Sequence, residues 1–263
     1  MDINEIKIVS GADKNGNPEA VEELIIRKGD ILVLAGPTGS GKSLLLSDIE
    51  QLANGDSPSG RRVLVDGKII DPFSTRITAC LSQNMHFVMD LDVGSFINLH
   101  AKSRRIATSN TVEKVLELAN DLAGEPLSAN MHLASLSGGQ SRALMISDAA
   151  LISNAPVVLI DEIENAGINK TKGIQLLSTE GKMVLIATHD PTLMLTAQKR
   201  IIFKNGAMAK LIQSNDIERK HLQYFLEIDR VLESFKQSLR NGNRLDEETL
   251  KALIELRGVN HGQ

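Results

Sequence analysis

Three short runs along the chain are apolar without a break: residues 31–35 (Ile-Leu-Val-Leu-Ala), 156–160 (Pro-Val-Val-Leu-Ile) and 183–187 (Met-Val-Leu-Ile-Ala). Runs of this length and content suit strands covered on both faces, as in a parallel sheet. The segment before the first run is also β-rich. Ile6 and Ile8, then Leu24, Ile25 and Ile26, mark strands, residues 11–18 form a Gly-, Asn- and Asp-rich hairpin loop, and 28–30 is a turn. A helix is predicted over 43–53 and a loop over 55–60, after which strand character returns at 62–65, 68–70 and 77–81. From Asn84 the period changes. Residues 92–103 and 111–123 carry apolar positions at helical spacing (Val112, Val115, Leu116, Ala119, Leu122), and 141–153 do the same. Ser109 or Asn110 is expected to cap the second of these helices. A hairpin around Asn205-Gly206 joins 200–204 to 207–212. Beyond residue 214 the pattern becomes that of a charged amphipathic helix carrying Leu222, Phe225, Leu226, Val231 and Leu232, with a further helical stretch at 245–256. The expected organisation is an α/β domain over 1–214, with a helical subdomain inserted at about 84–153, and a helical extension over 215–263.

Composition narrows the partners. The 263 residues are 42% hydrophobic and 24% charged, an ordinary globular balance. A net charge of −4 without a basic block speaks against nucleic-acid binding. Cys80, the single cysteine, excludes an intrachain disulfide and agrees with a reducing cytosolic setting. Lying in an apolar run, it is expected to pack rather than react. No apolar stretch reaches signal-peptide or membrane-span length, so work at a membrane is expected to go through a partner. Aromatic residues make up 3%, with no tryptophan, which leaves little material for an aromatic binding platform.

The chemistry starts where the first apolar run ends. Gly36-Pro37-Thr38-Gly39-Ser40-Gly41-Lys42-Ser43 follows a strand and opens a helix, the context that the phosphate-binding pattern G-x-x-x-x-G-K-[ST] requires. Glycines let successive backbone N–H groups turn inward around phosphates, with a helix N-terminus behind them. Lys42 is placed to reach the β- and γ-phosphates, and the Ser43 hydroxyl to complete a Mg²⁺ shell. The stretch from Gly36 to Ser43, with Leu44 after it, is the expected nucleotide cradle.

A second motif is more selective. Leu136-Ser137-Gly138-Gly139-Gln140 stands shortly before the apolar run that ends in Asp161-Glu162, and the next such run ends in Thr188-His189-Asp190. Together, in this order, these motifs resemble the nucleotide-binding domain of the ABC-type ATPases over residues 3–212. The resemblance implies a P-loop NTPase of ABC type: a mixed sheet with an antiparallel β portion, a helical subdomain and the C-terminal helical extension. It implies ATP and Mg²⁺ as cofactors and Mg²⁺-dependent hydrolysis. Asp161 would hold the metal with Ser43 and Gln83, the latter matching the Q-loop glutamine. Glu162 matches the general base that polarises the attacking water, and His189 the switch histidine that senses the γ-phosphate. Ser137, Gly138, Gly139 and Gln140 match the signature that covers the nucleotide of a second copy. A head-to-tail homodimer with two trapped ATP molecules is therefore implied. Ser137 also stands where a helix N-cap belongs.

The chain departs from the family in two places. Residues 163–169 read Ile-Glu-Asn-Ala-Gly-Ile-Asn where the family reads P-T-S-A-L-D, and the usual aspartate has no clear match. The aromatic residue that stacks on adenine upstream of the phosphate loop is missing, because Phe73 is the first aromatic residue. An aliphatic contact from Ile8 or Val9 is expected in its place, leaving ATP and GTP both admissible. Two functions fit: a cytoplasmic subunit, peripheral at the inner face of the cell membrane, that energises a transmembrane permease, and a soluble ATPase that remodels a cytosolic protein complex.

Overall fold

The structure, a computed structural model, describes residues 3–72, 76–82, 87–106, 109–162 and 167–244. Two units separate at Gln213/Ser214. In the first unit, β1 (Glu5–Val9), β2 (Glu23–Arg27) and β4 (Arg62–Val65) form an antiparallel sheet of order β2-β1-β4. The larger sheet contains β3 (Ile31–Ala35), β5 (Thr78–Ser82), β6 (Val157–Asp161), β7 (Met183–Ala187), β8 (Lys199–Lys204) and β9 (Ala207–Gln213), in the order β5-β6-β7-β3-β8-β9. All its neighbours run parallel except the β8–β9 hairpin.

The unbroken apolar runs are explained by the two cores they serve. Val33, Val158, Ile160, Val184 and Ile186 face one core, shared with helices α2 (Val93–Ser103), α3 (Thr111–Leu122), α4 (Gly138–Leu151) and α5 (Lys170–Thr179). Leu32, Leu34, Val157, Leu159, Met183 and Leu185 face the other, where the antiparallel sheet and α1 (Lys42–Glu50) close over them. Alternate side chains thus enter two apolar layers, and neither face of the strand can be polar. The short α6 (Pro191–Thr196) completes this unit. The second unit contributes α7 (Asp216–Arg240), and the expected stretch at 245–256 lies outside the described residues.

One polar knot lies inside the first unit. Arg61 is fully buried and donates to Glu19 through Nε (3.1 Å to Oε2) and Nη2 (2.6 Å to Oε1). It also donates to Asp48 Oδ2 (2.9 Å) and to the Gly206 carbonyl (2.8 Å). Glu19 in turn accepts from the Gly11 and Met208 N–H groups. Burial alone would weaken the guanidinium, but the two carboxylates outweigh it and raise its pKa above the usual arginine range. The loop before β2, helix α1, the start of β4 and the β8–β9 turn are joined through this one side chain.

Several local expectations are corrected. Residues 68–70 form no strand: β4 ends in a tight turn at Asp66 (φ 46°) and Gly67, and only Lys68 bridges back, to Val65. Asp66 stabilises that reversal by accepting from the Asn4 and Glu5 N–H groups. Asn110 occupies the N-cap position of α3, as one of the two expected candidates, but in a left-handed conformation (φ 67°) and without a side-chain cap bond. The helix expected over 43–53 ends at Glu50, and that expected from 141 already starts at Gly138.

Candidate functional site

The phosphate loop joins β3 to α1, and its glycines are needed where they stand. Gly36 has φ 150°, and a Cβ there would lie 2.7 Å from the Phe203 carbonyl oxygen. Gly41 has φ 107°, with a Cβ 2.8 Å from the Gly206 Cα. Both conformation and clearance exclude a side chain. Gly41 is the N-cap residue of α1 and brings no side-chain cap, so the first helical N–H groups are left to the loop's concave side. Lys42 folds back over that loop, donating to the Gly36 (2.7 Å) and Pro37 (3.2 Å) carbonyls. Among the described residues, the buried Ser40 hydroxyl finds no hydrogen-bond partner.

Strand order decides what meets this loop. Because β7 lies between β6 and β3, the ends of all three strands reach the same edge, with Thr188-His189 in the middle. His189 Nε2 lies 3.4 Å from Lys42 Nζ. Glu162, one residue past β6, adopts a left-handed conformation (φ 54°) and donates its N–H to the Ala187 carbonyl (3.1 Å). Such a conformation costs a non-glycine residue about 1–3 kcal/mol and is characteristic of functional positions. Thr38, Gly39, Gly41, Lys42, Ser43, Leu44, Asp161 and Glu162 line one cleft of about 510 Å³. The rest of its lining is Ala12, Asp13, Lys14, Pro58, Ser59 and Gly206.

Behind His189, Asp190 caps α6 by accepting from the Thr192 (2.8 Å) and Leu193 (3.4 Å) N–H groups, and it pairs with Lys170 at the start of α5. Burial would raise its pKa, but the Lys170 ammonium and those two N–H groups outweigh burial and hold it below the usual carboxylate range. The residue after His189 is thus tied to the helix that starts at Lys170.

The predicted residues divide into three groups. Lys42, Ser43, Leu44, Thr38, Gly39, Gly41, Asp161 and Glu162 meet at the cleft, with Gly36, Pro37 and Ser40 forming the loop beneath them and His189 beside Lys42. Ser137, Gly138, Gly139 and Gln140 stand apart, at the N-terminus of α4, where Ser137 and Gly138 are exposed. Gln140 is 7% exposed and already committed. It completes a capping box with Ser137 and donates to the Pro126 carbonyl (2.9 Å). Gln83 lies outside the described residues. The aliphatic base contact is also corrected: Ile8 is fully buried in the inter-sheet core, and Val9 is not among the cleft-lining residues. Ala12, Asp13 and Lys14 stand there instead. The local pattern gives 11–18 only as a hairpin loop, and two strands, β2 and β3, separate it from the phosphate loop, so nothing in it signals this part of the cleft.

This donor set fits a nucleotide polyphosphate: a backbone cradle at a helix N-terminus, a lysine over it and a buried hydroxyl without a partner among the described residues. It also fits Mg²⁺, which takes one or two protein oxygens and completes its shell with phosphate and water. Ser43 and Asp161 offer those oxygens in the same cleft.

Known proteins agree with this geometry. The sequence model of the ABC transporter family matches residues 22–165. An uncharacterised ABC transporter ATP-binding protein of Methanocaldococcus jannaschii is 49% identical over 261 residues, covering 97% of this chain and 100% of that one. The macrolide export ATP-binding/permease protein MacB of Psychrobacter cryohalolentis is 27% identical over 240 residues, 82% of this chain but 36% of that protein. Among solved structures, cbiO1 of Clostridium perfringens, part of the ABC transporter complex cbiONQ, superposes with a TM-score of 0.62 at 19% identity, over 85% of this chain and 94% of that one.

Proposed function

The chain belongs to the ABC transporter ATP-binding family, and from that premise we propose that it binds Mg²⁺-ATP, hydrolyses it, and works as a two-copy sandwich that energises a separate membrane transporter. The observation that carries this reading is the single cleft in which Lys42, Ser43, Asp161 and Glu162 meet over a glycine cradle. Bound Mg²⁺ would draw charge from the β- and γ-phosphate oxygens. Lys42 would exchange its two loop carbonyls for those phosphates, while Ser43 and Asp161, with Gln83, would hold the metal. The Glu162 carboxylate orients the attacking water and takes its proton. His189 reaches the γ-phosphate beside Lys42.

The exposed Ser137 and Gly138, with Gly139, then cover the γ-phosphate held by a second copy, using the amides at the start of α4. Gln140 supports that turn from behind through its capping box rather than touching the nucleotide. Among the described residues no helix is long and apolar enough to cross a membrane, so transport is assigned to a partner permease. The relative that joins an ATP-binding region to a permease in one protein supports that assignment. The divergent sequence after Glu162 favours the second reading, a soluble remodelling ATPase, which the same experiment separates.

Glu162→Gln is expected to keep ATP binding, lower turnover by about 10²–10⁴-fold, and trap an ATP-dependent dimer visible by light scattering. Lys42→Ala should lose most nucleotide affinity. A Glu162→Gln protein that binds ATP yet stays monomeric would remove the sandwich. Capture of interacting proteins by this variant with ATP present should recover a polytopic membrane protein, and recovery of soluble proteins alone would favour the remodelling ATPase.

A further inference from the structure

The part of the cleft formed by residues 12–14 and the β8–β9 turn is held in place by its own hydrogen bonds. Asp13 accepts from the Asn15 and Asn17 N–H groups (2.8 Å each) and from Asn205 Nδ2 (3.1 Å). Its carboxylate is thereby committed to its own loop and to the β8–β9 turn. Lys14 donates its N–H to the Asn205 carbonyl (3.0 Å), and Gly206 donates to the Ser40 carbonyl (2.8 Å). Loop, turn and phosphate loop therefore form one continuous backbone network. The Lys14 stem crosses Gly206 so closely that a Cβ there would meet its Cγ at 3.0 Å. Its ammonium ends 2.9 Å from the Gly39 carbonyl, at the apex of the phosphate loop.

We propose that Lys14 is a nucleotide ligand whose ammonium exchanges the Gly39 carbonyl for a phosphate oxygen of the bound nucleoside triphosphate, making affinity depend on phosphate charge rather than on base identity. This rests on nucleotide binding in the cleft. A phosphate oxygen is a stronger acceptor for an ammonium than a neutral carbonyl, and the exchange leaves the ordered stem in place. Lys14 and Lys42 are the two cations among the residues lining the cleft. The apolar lining is small, Ala12, Leu44, Pro58 and the Lys14 stem, with no aromatic ring among the lining residues. The nearby polar groups are engaged: Asp13 as above, and Ser59, which donates to Asp48 (2.8 Å). Among the described lining residues there is no aromatic ring to favour one base by stacking, so ATP and GTP enter as one class.

The test is calorimetric titration of the full chain with ATP, GTP and inorganic tripolyphosphate, each with Mg²⁺ and at several salt concentrations. Lys14→Met, which keeps the stem and removes the charge, is expected to weaken all three about tenfold and to flatten the salt dependence. Lys14→Arg should restore both. Wild-type affinities for ATP and GTP should lie within about tenfold of each other, since only apolar contacts differ. Unchanged affinities in Lys14→Met, or a loss for ATP with tripolyphosphate unaffected, would overturn the assignment while leaving nucleotide binding intact. A wild-type chain that takes up none of the three ligands would overturn both readings. Circular dichroism of the exposed Lys14→Met site checks that the fold is retained.

Discussion

Burial acts on individual ionisable groups here in ways that can be measured. Cys80, half-buried at the edge of the inter-sheet core, has its thiol pushed up to about 12, first by desolvation and then by Glu50 beside it. Since the thiolate is the reactive form, alkylation of folded protein at pH 8 should be on the order of a thousandfold slower than that of an ordinary cysteine. Unfolding in urea should restore the normal rate, and fast labelling of the folded chain would contradict this picture. The core placement of Cys80 was legible because its neighbours are apolar. The cradle residues were legible for a similar reason: Gly36, Gly41 and Lys42 do their work within one turn of each other. Lys14 was not, because its importance arises from a hydrogen bond to Gly39 across a loop that local pattern reads only as Gly- and Asn-rich.

Between elements, the end of β7 is fastened to the start of α5. Asp190 carries two helix N–H groups and the Lys170 ammonium, and its proton affinity is lower folded than unfolded. Its contribution to stability is therefore present above the ordinary carboxylate value of about 4 and is lost as pH falls through the lower folded value. Replacing Asp190 by Asn should cost about 1–2 kcal/mol in urea unfolding at neutral pH, with the gap to wild type shrinking below about pH 4. A gap that widens in acid would contradict the assigned pairing. Strands β3, β6 and β7 were readable because a face buried on both sides leaves no polar position to blur the run. Residues 68–70 look equally strand-like, yet their direction is set by Asp66 reaching back to Asn4 and Glu5, sixty-odd positions away in sequence, which no local pattern records.

For the molecule as a whole, Arg61 is the joint between both sheets and the helix behind the phosphate loop. Arg61→Met would leave Glu19 and Asp48 buried and charged without their cation, at a cost of about 3–5 kcal/mol, seen as a lower urea midpoint. Exchanging all three for apolar residues should recover much of the loss, because the desolvation of the charges disappears with them. A midpoint unchanged in Arg61→Met would remove the joint from the account. Nothing in the spacing of Glu19, Asp48 and Arg61 announces the triad, because each lies in a different element.

The sheet order also sets a schedule. β3, which carries the phosphate loop, pairs with β7 on one side and β8 on the other. Both partners come from residues 183–204, about 150 positions later in the chain. During synthesis the motif-bearing strand emerges early and waits, unpaired, until most of the first unit has left the ribosome. The loop-closure entropy of that pairing is met only then. The cradle is thus among the last features to be assembled, and a nascent chain cannot present a finished nucleotide site before the unit that must respond to the nucleotide exists.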